Sequence, residues 1–250
     1  MSELLDLLNA RIGVICAVGA GGKKTTLYHL AQTHRGRVGI TSTVPIAHFP
    51  KQLNAEVVIA GPDELATAAV EAAGRHRLVA FALPDVRKER FGGVEPALIV
   101  KIGQAAGFDL LLVKCDGARM RWIKAPQEGE PVFPDNTTTV IPIVSARAIG
   151  EPLTETIAHR LAQVEAVTHA RYGEPVTPEH IARLLSDERG ALKDVRDATV
   201  VPVINMVDSK EREARAVEAA EYALGLSDRF DRIVLTSHLS SGRLVATVTR

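Results

Sequence analysis

Residues 14–27 read VICAVGAGGKKTTL, and what this stretch folds into decides how the rest of the chain is read. An apolar run over residues 12–18 stops at Gly19, Gly21 and Gly22, with Ala20 between them. Lys23, Lys24, Thr25 and Thr26 then open a helix-like pattern that continues to about Gln32. The order is strand, glycine loop, helix. Glycines let a backbone turn so tightly that several N–H groups face one hollow, and the helix behind them adds the positive end of its dipole. The stretch therefore predicts a seat for a polyphosphate, GTP or ATP, with Mg²⁺ beside it.

A strict phosphate loop is G-x-x-x-x-G-K-[ST], in which the lysine reaches the terminal phosphates and the hydroxyl binds the metal. This chain departs from it in either register. With Lys23 as the phosphate lysine, Ala17 stands at the first glycine and Lys24 at the hydroxyl. With Lys24 in that role, Thr25 falls into place but Lys23 replaces the glycine. On this motif alone both registers stay open, as does a plain glycine turn carrying a solvated lysine pair.

The surrounding chain supplies context. Strand-like runs recur at residues 12–18, 38–43, 56–60, 78–83, 110–115, 139–144, 200–204 and 233–236, and alanine-rich amphipathic stretches at 62–74 and 209–225 lie between them. Strands alternating with helices predict an α/β fold with a mostly parallel sheet covered on both faces, in the three-layer P-loop NTPase-like manner. Residues 150–199 read as helical with no convincing strand. The expected organisation is one domain over residues 1–250 with a helical insertion at about 150–199.

The 250 residues are 46% apolar, and 30 basic side chains balance 30 acidic ones. That is enough to bury a large core, with no net field to draw nucleic acid or a membrane surface. Cys16 and Cys115 both lie in apolar runs and read as core thiols suited to a reducing cytoplasm. The start MSELLDLLNARIG has neither a basic head nor a cleavage site, and no uncharged run reaches bilayer length. A cytoplasmic protein acting on small ligands and protein partners is expected.

Further motifs bear on the loop. Residues 108–120, FDLLLVKCDGARM, end an apolar run at Asp116-Gly117, as a strand edge does when it presents a carboxylate to a nucleotide-bound Mg²⁺. The same pair also suits an ordinary turn. Residues 40–45, ITSTVP, close a strand with hydroxyls, among which Thr43 is a metal candidate beside Thr25 and Asp116. Asn205-Met206-Val207-Asp208 resembles the N-K-x-D by which an aspartate reads guanine, with Met206 in place of the lysine, although Asp208-Ser209 also suits a helix cap. The loop KAPQEGEPVFPDNTT (124–138) is the longest irregular stretch. Its Lys124 and Glu130 are charges able to swing toward phosphates, or else an incidental surface pair.

Taken together, these motifs resemble the YqeC family, described as accessory or selenium-cofactor proteins for selenium-dependent molybdenum hydroxylases. VGAGGK (18–23) matches the family's opening loop, TSTVPI (41–46) its threonine-rich strand end and CDGA (115–118) its acidic strand end. KAPQEGEPVFP (124–134) matches its most distinctive loop, loosely K-A-P-x-x-H-E-P-x-I-P. The likeness runs from about residue 12 to 153, with a weaker echo at 203–208. It implies a nucleotide-dependent role in maturing a molybdenum hydroxylase, with that enzyme or a cofactor precursor as partner. It also aligns Lys23 without a gap as the phosphate lysine, with Lys24 as a second contact. Three departures stand out: Lys24 where relatives carry a hydroxyl, Lys114 where they carry glutamate, and Gly129 where they carry histidine.

The resulting expectation is a slow nucleoside triphosphatase. Residues 19–26, Asn205 and Asp208 would hold the nucleotide, Thr25, Thr43 and Asp116 the metal, and Lys23, Lys24, Asp116, Lys124 and Glu130 would act on the phosphates. The rival expectations are a small-molecule kinase whose acceptor sits on the 124–134 loop, and a non-catalytic module that binds nucleotide and docks a partner.

Overall fold

The computed structural model describes residues 3–237, 239 and 244–250. In chain order its helices and strands are α1 (Glu3–Leu7), β1 (Gly13–Gly19), α2 (Lys23–Thr33), β2 (Val38–Ser42), β3 (Ile46–Ala47), β4 (Glu56–Ile59), α3 (Pro62–Ala73), β5 (Leu78–Ala82), β6 (Arg90–Phe91), α4 (Pro96–Ala106) and β7 (Leu110–Lys114). They continue with β8 (Ile123–Lys124), β9 (Thr139–Ser145), β10 (Ala158–His159), α5 (Leu161–Thr168), α6 (Pro178–Ser186), β11 (Thr199–Val200), β12 (Val203–Asn205), α7 (Lys210–Leu226), β13 (Arg232–Thr236) and β14 (Leu244–Thr249). The chain clusters into two compact units. The first takes the described residues up to Ala17, Lys24–Asp116 and Val132–Thr139; the second takes Val18–Lys23, Gly117–Pro131 and the described residues from Val140 onward.

In the first unit the strands run in the order β1-β7-β2-β5-β4, every neighbouring pair parallel. The unbroken apolar run Leu110–Val113 is buried throughout, as a parallel strand covered on both faces demands. Register sets Lys114 opposite both Ala17 and Ser42, so the ends of β1, β2 and β7 come level. Helices α3 and α4 each begin with a proline, whose missing N–H costs nothing in a first turn, and they pack on one another. Cys16 and Cys115 are free and buried. Burial, followed by the neighbouring Cys16, holds the Cys115 thiol well above its ordinary range, so it is an unreactive core thiol.

In the second unit β9, β12 and β13 are parallel neighbours, and β14 closes the edge antiparallel to β13. Helix α7 packs on α6, β13 and β14. Parallel strands alternating with helices make this an α/β protein, in an arrangement compatible with a P-loop NTPase-like fold.

Several local expectations need correction. The run at 200–204 is split into β11 and β12, because Pro202 has no N–H to give a ladder. Residues 150–199 are less helical than expected: β10 pairs with β8, and Thr154 receives turn hydrogen bonds from Ile157 and Ala158 where a helix was expected to start. The second helix of that segment stops at Asp187, whose extended backbone ends it, and turns follow to Asp194. Strand β14, with its alternating LVATVT, was legible in sequence and was not anticipated. No helix among the described residues is long and apolar enough to cross a membrane.

Candidate functional site

The glycine loop is built by close approach. Gly19, Gly21 and Gly22 have φ of +87°, +87° and +130°, and at all three space settles the matter as well: a Cβ on Gly19 would collide with the Ile143 carbonyl. A Cβ on Gly21 would lie 2.7 Å from the Ser145 backbone N, and one on Gly22 would collide with the Asn205 amide. Ala20 N–H donates to the Ile143 carbonyl at 2.8 Å, seating the loop on β9. The Lys23 ammonium donates to the Gly19 carbonyl and is buried. No acceptor for the N–H groups of Gly21 and Gly22 is found among the described residues.

Asn205, fully buried at the end of β12, ties this loop down. Its Nδ2 donates to the Gly21 carbonyl at 2.7 Å, while its Oδ1 accepts from the Thr236 hydroxyl at 2.9 Å. Both ends of the amide are therefore spent on the protein. Asp208 is likewise engaged: Oδ1 accepts from Ser237 at 2.7 Å, and Oδ2 lies 3.3 Å from Arg147 and 3.5 Å from Arg212. The cap of α7 is Ser209, which accepts from Arg212 N–H, rather than Asp208. Met206, at φ +62°, receives the Ser145 hydroxyl on its sulfur. Ser145, Arg147, Arg212, Thr236 and Ser237 escaped the sequence reading, since each gains meaning only from strands brought alongside one another.

The metal candidates belong to the first unit. Asp116 is buried just beyond β7, and Lys114, two residues before it, sends its ammonium to the Pro45 carbonyl at 3.4 Å. Thr43 donates its hydroxyl proton to the Val132 carbonyl at 2.9 Å, and Thr41 to Phe81 at 2.7 Å. The oxygens of these hydroxyls keep lone pairs. In the first turn of α2, Lys24 is half-buried, Thr25 exposed and Thr26 buried. Among the described residues no three His, Cys, Asp or Glu side chains gather into a metal-binding group.

The 117–131 stretch is organised by charge. Lys124 on β8 has a side chain that is 0% exposed, and its ammonium lies 2.8 Å from Glu130 Oε2; the other carboxylate oxygen is 3.5 Å from Arg160. Lys193 donates to the carbonyls of Gln127 at 3.0 Å and Glu130 at 2.6 Å. The two charges, expected to swing toward phosphates or else to make an incidental surface pair, join a buried lysine to a half-buried carboxylate, and the second charge on Glu130 comes from a residue thirty positions along the chain. Opposite Lys124 in the ladder stands His159. Burial, and then the charges of Lys124, Arg160 and Arg119, push its pKa down to about 4.

The fold and loop define an α/β protein with a strand–glycine loop–helix unit at the head of its first strand. The family described as YqeC protein matches residues 15–162, more than half of the sequence, and the chain belongs to that family. It is 28% identical over 191 residues to a protein named "Uncharacterized protein YqeC" of Escherichia coli (strain K12), covering 73% of this chain and 71% of that one.

Proposed function

We propose that this protein binds a nucleoside triphosphate, GTP or ATP, on residues 19–23, turns it over slowly, and serves as an accessory factor in the selenium or molybdenum cofactor maturation of a molybdenum hydroxylase. The observation that carries the first part is the pair of Gly21 and Gly22 N–H groups without an acceptor in a tightly packed loop. Backbone donors left in such a place need a partner, and an anion meets that need where a helix begins directly behind. Lys23 adds its charge by sharing or exchanging the Gly19 carbonyl. Mg²⁺ would offset charge on the phosphates, with Asp116, Thr25 and Thr43 as its protein ligands. With one carboxylate in that set, such an ion would rely on the nucleotide's oxygens and on water. The pathway role rests on the family resemblance.

Base selection falls to Asp208, because Asn205 is committed to the loop. A guanine edge would have to compete with Ser237, Arg147 and Arg212 for its oxygens. A second reading, a module that binds nucleotide without turnover, is favoured by Lys24 standing at the hydroxyl position and by the buried Lys114 two residues before Asp116.

Calorimetric titration with GTP and ATP, with and without Mg²⁺, tests the reading, and phosphate release under the same conditions separates the two forms of it. Saturable binding that Lys23→Ala weakens by about 2–5 kcal/mol, the cost of breaking a desolvated charge pair, is the expected result. No binding of either nucleotide, or unchanged affinity in both Lys23→Ala and Lys24→Ala, refutes it.

A further inference from the structure

The strand ends beside the glycine loop carry two arginines that the loop itself does not use. Gly21 packs on Ser145 and Gly22 on the Asn205 amide, and these two residues face each other in the register of β9 and β12. Arg147 lies two positions past Ser145, Asp208 three past Asn205, and Arg212 in the first turn of α7. The Ser145 hydroxyl accepts the Arg147 N–H at 3.2 Å and donates to the Met206 sulfur at 3.1 Å. The serine that seats the loop therefore also seats this cluster.

Both guanidinium groups fall on one oxygen of Asp208, Arg147 at 3.3 Å and Arg212 at 3.5 Å. Each distance is long against the roughly 2.7–2.9 Å of a well-made charge-assisted bond. Neither guanidinium has another hydrogen bond or ion pair among the described residues. Most of their N–H donors are thus unspent, and each side chain is 39% exposed, within reach of a ligand. Arg147 Nε is moreover buried without a hydrogen-bond partner among the described residues. A turn of the side chain that brings this donor onto an acceptor removes a real cost.

The carboxylate at the centre decides which acceptor fits. A phosphate would bring its negative charge against Asp208, and like charges so placed repel. A neutral group with two adjacent acceptors meets no such repulsion and matches the guanidinium fork; guanine's O6 and N7 edge is such a group. Adenine sets its N6 amino group where guanine has O6, a donor against a donor. Half-buried Met206 offers a polarizable surface to the face of a base.

We propose that Arg147 is the specificity-determining residue of the nucleotide site and selects guanine through O6 and N7. Asp208 is then a positioning residue, which holds the arginines instead of reading the base, and Arg212 keeps it paired when Arg147 turns to the ligand. The inference rests on the nucleotide reading above and moves base selection from Asp208 to the arginine beside it.

The test is calorimetric titration of the full chain with GTP, ITP, 7-deaza-GTP and ATP, each with Mg²⁺. ITP lacks the N2 amino group that a base-reading aspartate needs but keeps O6 and N7, so it should bind as tightly as GTP. Loss of N7 in 7-deaza-GTP, or of O6 in ATP, should weaken binding about tenfold or more. Arg147→Lys keeps a charge for Asp208 and removes the fork, so it should lower GTP affinity about tenfold and leave ATP affinity unchanged. That ratio is one that a general loss of stability does not move. ITP about tenfold weaker than GTP, equal binding of GTP and ATP, or a GTP-to-ATP ratio kept in full by Arg147→Lys overturns the assignment of Arg147 and leaves nucleotide binding standing. No binding of any of the four overturns both.

Discussion

The glycine loop and the 117–131 stretch reach a defined shape by opposite means. The first is held by backbone: three glycines at positive φ, one N–H on the Ile143 carbonyl, and a neutral amide, Asn205, bonded at both ends. The second is held by charge: an interior lysine, a carboxylate shared with Arg160, and a lysine from a remote segment on two carbonyls. Steric devices are tolerant of pH and salt, whereas a buried ion pair stands or falls with both partners. The difference teaches that one region is a fixed frame and the other a charge-latched segment.

The sharpest way to break the comparison is at Lys124. Replacing it by methionine leaves the half-buried Glu130 with only Arg160 as its ion-pair partner, which should cost at most about 3 kcal/mol in urea-unfolding stability, the low end for a broken buried pair because one partner remains. The double variant Lys124→Met/Glu130→Gln should recover much of that loss. A single variant as stable as the parent would show that the pair does not hold the segment.

Next comes Gly22→Ala, which adds a side chain at φ +130° against the Asn205 amide. The expected loss is about 1–3 kcal/mol, unaltered between low and high salt, together with loss of nucleotide binding. A salt-dependent loss would erase the distinction between the two regions.

Lys193→Ala should have a smaller effect, about 1 kcal/mol for hydrogen bonds from a partly exposed ammonium. Its signature is faster hydrogen exchange confined to residues 127–131, with the glycine loop unchanged. Exchange rising equally in both would mean the two are not independently held.

The smallest effect is the pH response of His159. Its folded-state pKa, about 4, lies below the ordinary 6.5, so the unfolded chain takes up a proton first as pH falls. Its contribution is fully present above about 6.5 and is lost as pH drops toward 4. The ring is only half-buried, so screening keeps the loss modest. His159→Gln should flatten this part of the pH–stability curve while leaving stability at pH 8 nearly unchanged.

What the sequence alone determined is whatever depends on neighbours along the chain. The glycine spacing, the apolar run 110–113 and the Pro-started helices follow from sterics and periodicity, and they specify the α/β class and the shape of the strand–loop–helix unit. What only the tertiary structure decided is every pairing of distant side chains. Asn205 read as tying its strand end to the base and to the phosphate loop, and both ends of its amide are bonded within the protein, to Gly21 and to Thr236. Lys124 and Glu130 read as able to swing or else as a surface pair, and they join a buried lysine to a half-buried carboxylate whose second partner, Arg160, no motif announced. The physical reason is that local conformation is set by a few dihedrals that sequence encodes directly. The partners of a buried polar group are set by strand order and register, which bring together residues the chain keeps far apart.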